Sequence, residues 1–168
     1  MFQITWLDNF NLPIKKNIET TLERLSDGKR KNTKSKIQMK MRRQMHNTSI
    51  TCEAQNSAEK SPSKTSILLQ IEFAPYVTLE TSSVALKEGE SVLFSCIAEA
   101  NPTEVTYHWS VEGEEQDDAE ERFVISRVTR QDNGKIVKCR VKNRVGISED
   151  THILNIHCKI YTSMRKNT

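Results

Sequence analysis

The sequence predicts an all-β fold in which two antiparallel sheets pack face to face. Apolar and polar residues alternate in three runs, which are residues 91–98, 105–111 and 135–142. A period of two is typical of strands with one buried face. Cys96, Trp109 and Cys139 lie on the apolar faces of these runs, one in each. A core tryptophan between two inward cysteines predicts an immunoglobulin-like sandwich with a Cys96–Cys139 disulfide between its sheets. Closing this loop contributes roughly 4 kcal/mol in the chain-entropy model.

The residues upstream of Cys96 predict the opening edge of the same sandwich. Pro75 holds the chain extended as the domain begins. Apolar residues in 76–79 and 84–86 then predict short strands. One expected part is missing, since Val137 occupies the position of the tyrosine in a tyrosine corner.

The residues after Trp109 predict the closing strands. Residues 123–128 read as a strand that leads to a turn built on 132–134. After Cys139, residues 143–146 suit a hairpin turn, because asparagine and glycine favour tight turns. We expect a last strand with Leu154 and Ile156 pointing inward.

The first part of the chain repeats this pattern in an incomplete form. Ile4 and Trp6 predict an inward-facing strand that corresponds to the Trp109 strand. Residues 34–42 predict a half-buried strand, whose inward residues would be Ile37, Met39 and Met41. A cysteine strand at 48–54 and a closing strand that carries Ile67, Leu69 and Ile71 complete the repeat.

The incomplete repeat predicts the domain organisation. We expect residues 1–73 to be the C-terminal part of an immunoglobulin-like domain without its opening strands. Residues 74–157 would form a complete domain, followed by a tail at 158–168. Cys52 and Cys158 are then unpaired within this chain, because the strand expected to supply the partner of Cys52 is absent. The first part should be poorly stable alone, since half of one sheet and a disulfide are missing.

Composition limits the possible class of protein. The chain has 168 residues, 36% of them hydrophobic, and a formal net charge of +3. No apolar run approaches the roughly 18 residues of a membrane span, and the first residues lack the features of a signal peptide. If the domain class implies secretion, we expect the export signal and any membrane anchor to lie outside this sequence.

Several local motifs resemble a known family. Residues 98–102 (Ala-Glu-Ala-Asn-Pro), 107–109 (Tyr-His-Trp) and 136–143 (Ile-Val-Lys-Cys-Arg-Val-Lys-Asn) resemble the third immunoglobulin domain of kin-of-IRRE and roughest adhesion receptors, which belong with nephrin to the irre-type cell recognition group. Residues 46–56 and 73–75 resemble the end of the preceding domain. The resemblance covers nearly the whole chain and indicates a fragment.

This resemblance implies a cell-surface adhesion module. The family's receptors carry stacked immunoglobulin domains that recognise relatives on an opposing cell, so the implied location is the extracellular part of a plasma-membrane receptor. Recognition belongs mainly to the outermost domain, which this chain does not contain. The implied partners are other immunoglobulin-superfamily adhesion proteins, with homophilic or heterophilic contact, and no nucleic acid.

Two charged segments leave other functions open. A basic run at 29–43 could bind heparin or another polyanion, but its later half alternates with apolar residues and no aromatic platform is interleaved. A solvated strand face is the favoured interpretation. The acidic segment 112–121 could hold calcium or meet a basic partner, although it lacks EF-hand spacing, and a flexible loop is favoured.

The remaining motifs predict one modification and no catalysis. Asn47 begins the only N-x-S/T sequon, which predicts a glycan at a turn. His108 should face solvent. Together with His157 and Cys158 it offers no metal-ligand spacing, so we expect neither metal nor cofactor. No nucleophile or phosphate-loop motif is present, and we expect a binding module rather than an enzyme. The main rival is an intracellular immunoglobulin-type scaffold domain.

Overall fold

The computed structural model describes residues 3–58 and 60–157. The chain divides into two compact units, Met1–Ile71 and Glu72–Thr168. The described residues form strands and two short 3-10 turns, so the fold is all-β with two immunoglobulin-like domains.

Among its described residues, the first unit contains five strands. They are β1 (Gln3–Leu7), β2 (Ile18–Arg24), β3 (Lys31–Ile37), β4 (Ser49–Gln55) and β5 (Ser63–Leu68). One antiparallel sheet has the order β1-β4-β5, and β2 pairs with β3 in a separate hairpin. Leu7 and Ile50 are the buried hydrophobic residues described here. Burial of apolar area in this unit is therefore small.

The prediction of a strand over residues 34–42 is wrong in its second half. Strand β3 ends at Ile37, and the backbone N–H of Gln38 donates to the carbonyl oxygen of Asn17 at 3.0 Å. This hydrogen bond lies at the open end of the β2–β3 hairpin, one residue before β2 begins at Ile18. The chain beyond Gln38 has no neighbouring strand to pair with, and Met41 is 48% exposed.

The closing strand is shorter than the sequence predicts. Strand β5 ends at Leu68, before Leu69 and Ile71. Ile67 lies opposite the buried Ile50, yet it is 62% exposed. Strand β5 is an edge strand, with β4 as its neighbour on one side and no described strand on the other. The side chain of Ile67 is therefore covered less than that of Ile50 in the central strand.

Within residues 72–157, the second unit is a sandwich of nine strands. They are β6 (Phe73–Thr81), β7 (Leu86–Lys87), β8 (Val92–Asn101), β9 (Thr106–Val111), β10 (Glu114–Glu115), β11 (Arg122–Ile125), β12 (Ile136–Lys142), β13 (Ile147–Ile153) and β14 (Ile156–His157). One sheet has the order β11-β8-β6 and the other β10-β9-β12-β13, while β7 and β14 form a short parallel pair. The backbone N–H of Leu79 donates to Asp150 at 2.8 Å, which links β6 to β13.

The core of this unit lies between the two sheets. Trp109, Phe94 and Phe123 pack together there, with ring centroids 5.2 Å apart for Trp109 and Phe123 and 6.4 Å apart for Phe94 and Trp109. Trp109 and Phe94 are fully buried. Aromatic rings at such separations add stabilisation beyond the area they bury. The alternating apolar residues of β8, β9 and β12 thus converge on one core.

Three strand boundaries differ from the sequence-based expectation. The last long strand is β13, which ends at Ile153; Leu154 follows it, and Ile156 belongs to the short β14. Both residues are buried, as expected of inward positions. The strand expected over 123–128 ends at Ile125, although Val128 is buried. The acidic segment expected to be a loop contains β10, because Glu114 and Glu115 pair with the end of β9.

Candidate functional site

A disulfide joins the two sheets of the second unit at the centre of its core. Cys96 on β8 and Cys139 on β12 are bonded, with their Cα atoms 6.3 Å apart. Cys139 lies directly opposite Trp109 on β9, and the indole Nε1 donates to the carbonyl oxygen of Glu120 at 2.9 Å. The disulfide therefore lies beside a tryptophan whose only polar side-chain atom is hydrogen-bonded.

Asn143 fixes the turn between β12 and β13, and it is only 5% exposed. Its Nδ2 donates to the carbonyl oxygens of Phe73 and Pro102, at 2.9 and 3.2 Å. Its Oδ1 accepts from the backbone N–H groups of Val145 and Gly146. The sequence indicated a turn residue here but gave no signal for the long-range bonds, because side-chain partners distant in sequence leave no periodic pattern.

A small ionic cluster closes the turn before β12. Asp132 accepts from the ammonium group of Lys135 at 2.7 Å and from the hydroxyl and backbone N–H of Thr129. These bonds lower the pKa of Asp132 to about 2, with the Lys135 bond the largest cause. The same ion pair raises the pKa of Lys135. The carboxylate thus stabilises the turn in its ionised form.

The outer face of the sheet β10-β9-β12-β13 carries charged side chains in register. Lys138, Arg140 and Lys142 alternate with the buried residues of β12. Glu149 on β13 accepts from Lys138 at 3.0 Å and from Arg140 at 3.3 Å. His108 lies opposite Arg140 and is exposed, as predicted from the sequence.

This face also contains a surface depression. Its volume is about 450 Å³, and its lining residues are His108, Glu115, Gln116, Arg140, Lys142 and Ile147. Within residues 3–58 and 60–157, no group of three histidine, cysteine, aspartate or glutamate side chains is arranged to hold a metal ion. Five of the six lining side chains are polar or charged, as in the polar rim of a protein–protein interface.

In the first unit, Trp6 and Cys52 lie opposite each other on β1 and β4. Trp6 is half-buried, and its Nε1 donates to the hydroxyl of Ser35 at 2.9 Å. Cys52 is a half-buried free thiol among the described cysteines. Cys158 lies outside the described residues. The Thr33 hydroxyl is buried with no hydrogen-bond partner in the described part of the chain. Trp6 is thus less enclosed than the equivalent Trp109.

The sequon residue Asn47 is exposed at a turn. Its backbone has a φ of 59°, and its Oδ1 accepts from Gln70 Nε2 at 3.1 Å. The following Thr48 donates its hydroxyl to the carbonyl oxygen of Met45. The amide of Asn47 therefore lies at the surface, just before β4 begins at Ser49.

The basic run is partly neutralised within the first unit. Lys34 and Lys36 occupy the exposed positions of β3, and Lys34 pairs with Glu23 at 3.2 Å. Arg30 pairs with Asp27 at the hairpin turn. Helical structure among the described residues is limited to two short 3-10 turns, and neither approaches the length or the apolar character of a membrane-spanning helix.

Family models match both units. Residues 74–143 match the immunoglobulin domain model, and residues 2–63 match the CD80-like C2-set immunoglobulin domain model. Both models describe immunoglobulin domains, which act by binding, and the chain is therefore not an enzyme.

The chain is similar to three known proteins over most of its length. It is 31% identical to the irregular chiasm C-roughest protein of Drosophila melanogaster, over 92% of this chain and 23% of that protein. It is 34% identical to human kin of IRRE-like protein 1, over 80% of this chain and 18% of that protein. It thus spans about a fifth of these relatives. The crystal structure of the mouse nectin-like molecule 4 ectodomain superposes with a TM-score of 0.76 at 19% identity, over 98% of this chain and 57% of that one, which shows the fold alone.

Proposed function

The chain belongs to the kin of IRRE-like and roughest family of immunoglobulin-superfamily proteins, and on this premise we propose that it is a module of a cell-surface receptor acting in cell–cell adhesion. Its action is protein binding, in which no covalent bond is made or broken. Other immunoglobulin-superfamily proteins on opposing cells are the proposed partners, met mainly through domains outside this chain.

The observation that carries the proposal is the disulfide at the centre of a family-matched sandwich. Cys96 and Cys139 are joined beside the fully buried Trp109. Structural disulfides persist in oxidising compartments such as the cell exterior. An extracellular location is therefore better supported than the rival reading, an intracellular scaffold domain.

We also propose that residues 1–73 are the later part of a sandwich and residues 74–157 a complete one. In support, Cys52 presents a half-buried thiol opposite Trp6, where the second unit has its disulfide opposite Trp109. Ile67 on the same sheet is largely exposed. Opening strands with a cysteine for Cys52 would cover this face and turn the half-buried Trp6 into a core residue.

A glycan on Asn47 is part of the same proposal. The residue is exposed and begins an N-x-S/T sequon in a surface turn. Transfer of a glycan needs such an accessible asparagine in a secreted chain. Charged outer faces and a solvated basic hairpin are consistent with a surface that stays in water.

Antibody labelling of intact cells tests the location. Antibodies raised against residues 74–157 should label unpermeabilised cells that express the protein, with the label concentrated where two cells touch. Labelling that appears only after permeabilisation would favour the scaffold domain and contradict the proposal.

Mass spectrometry of the secreted chain tests the chemistry independently. A peptide linking Cys96 to Cys139 should appear without reductant and separate with it. Treatment with a glycosidase that removes N-linked glycans should reduce the mass of the peptide that contains Asn47. Free thiols at Cys96 and Cys139 in a chain recovered from the secretory route would contradict the assignment.

A further inference from the structure

The outer face of the sheet β10-β9-β12-β13 has a basic column on one side of its central strand β9. Lys138, Arg140 and Lys142 point outward from β12, where they lie opposite Ser110, His108 and Thr106 of β9 respectively. Arg140 is half exposed, and Lys142 is exposed and has no ion-pair partner within the described residues. This column extends over five residues of β12, from Lys138 to Lys142.

On the other side of β9, Glu115 on β10 brings a carboxylate to this face, and we call it and the next two acidic residues along the chain, Asp117 and Asp118, the acidic column. Glu115 on β10 lies opposite Ser110, so Glu115, Ser110 and Lys138 form one row across the sheet. The chain then continues along this edge, where the backbone N–H of Gln116 donates to the carbonyl oxygen of Trp109 at 2.9 Å. Asp117 and Asp118 follow directly. Within residues 60–157, none of the three carboxylates forms an ion pair.

The basic column has more positive charge than its own carboxylate neutralises. Lys138 and Arg140 share the single carboxylate of Glu149 on β13. One of these cations could bind another carboxylate while Glu149 keeps its partner. Lys142 adds a positive charge that has no ion-pair partner among the described residues. The face therefore carries opposite charges on the two sides of β9, and each column has charges that remain available to bind a partner.

We propose that this face binds a second copy of the chain, face to face, with a two-fold axis running along β9. Such an axis exchanges the strands on either side of β9, so the β12 column of one copy meets the β10 edge of the other. Glu115 then faces Lys138 because both lie in the row of Ser110. Symmetry makes this contact twice.

Other two-fold arrangements of the same face bring like charges together. An axis along β12 sets Arg140 against Arg140 and Lys138 against Lys138. An axis across the strands at Arg140 sets Lys138 against Lys142. Like charges in direct contact oppose association strongly. On the axis along β9, the facing residues are Thr106, His108 and Ser110, which carry no carboxylate or ammonium group.

The proposal concerns association between copies and does not depend on the adhesion role. Sedimentation equilibrium measures it on the full chain carrying Cys52→Ser, which removes intermolecular disulfides through that thiol. The dimer should be present at about 50 mM salt and weaken at about 500 mM, because salt screens exposed charges.

Charge reversal tests the pairing. E115K and K138E should each weaken the dimer about tenfold or more, since each replaces two attractions by two repulsions. The double variant E115K/K138E restores opposite charges in exchanged positions and should recover affinity to within about threefold. E80K on β6 and K87E on β7 are exposed controls with the same changes of net charge, and they should leave the dimer constant unchanged.

The outcomes separate clearly. A chain that remains monomeric up to about 1 mM at low salt, the limit of weak association, overturns the proposal. So does a dimer that is unaffected by the single reversals or not recovered by the double variant. Thermal unfolding of each variant establishes that the sandwich is folded.

Discussion

Asn143 donates its side-chain amide to the backbone carbonyl oxygen of Phe73 at 2.9 Å, across 70 residues of sequence. This bond joins the turn after β12 to the first residue of β6. Through its second donor bond, to Pro102, the same amide also holds the end of β8. One buried side chain therefore fixes three segments at one end of the sandwich.

Replacing Asn143 should destabilise the second unit by about 2–4 kcal/mol, because buried backbone groups lose their partners. Asn143→Ala leaves the carbonyl oxygens and the turn N–H groups unpaired. Asn143→Asp keeps the acceptor but sets a carboxylate against two carbonyl oxygens, so it should be no less damaging at pH 7. Urea unfolding measures the change, with exposed Asn155→Ala as the control. Loss below 1 kcal/mol for both variants would contradict this account.

Asp132→Asn should lower stability in a pH-dependent manner. The ordinary pKa of this carboxyl is 3.8, and it falls to about 2 in the folded protein. A lowered pKa stabilises the fold above about pH 4, and this stabilisation is lost as the pH falls towards 2. The shift corresponds to roughly 2 kcal/mol, and screening at this partly exposed site reduces the expected effect to about 1 kcal/mol.

Urea unfolding of both proteins across that pH range measures the difference for Asp132. The difference in unfolding free energy between the native chain and the variant should be constant from pH 5 to 7 and should disappear below pH 3. A gap that stays constant down to pH 2 would show that the carboxylate charge is not responsible.

Gly146→Ala should cost about 1 kcal/mol by steric crowding. A Cβ atom at this position would lie 3.0 Å from the Cβ of Ala74. At that distance one of the two backbone segments must move. Ala74→Gly removes the clash, so a double-mutant cycle should show a favourable coupling between the two changes. Additive effects in thermal unfolding would mean that the crowding is relieved elsewhere.

Limited proteolysis should cut the first unit before the second. Leu7 and Ile50 are the buried hydrophobic residues among its described positions, whereas the second unit has an extended buried cluster closed by a disulfide. Local opening is easiest where few apolar contacts are lost. A resistant fragment should begin near residue 72. Iodoacetamide should label Cys52 in the folded chain while Cys96 and Cys139 remain unlabelled in peptide maps. Equal resistance of both units would contradict the prediction.

The sequence by itself determined the all-β class and the pairing of Cys96 with Cys139 around Trp109. Alternation of apolar residues is a local property of an extended chain, and an inward cysteine on each of two such strands has few possible partners. The same reasoning indicated the exposed position of His108, and it predicts that the domain before residue 73 is incomplete.

Only the tertiary structure decided which alternating residues are paired and which polar groups meet. Met41 continues the pattern of β3 but is exposed, because β2 offers no residue to pair with it. Asn143 became a buried link because Phe73 and Pro102 arrive beside it from other strands. The basic and acidic columns on either side of β9 likewise depend on strand order, since β10 and β12 become neighbours of one strand only when the sheet has formed. Such relationships are set by long-range pairing, which leaves no periodic signal in the chain.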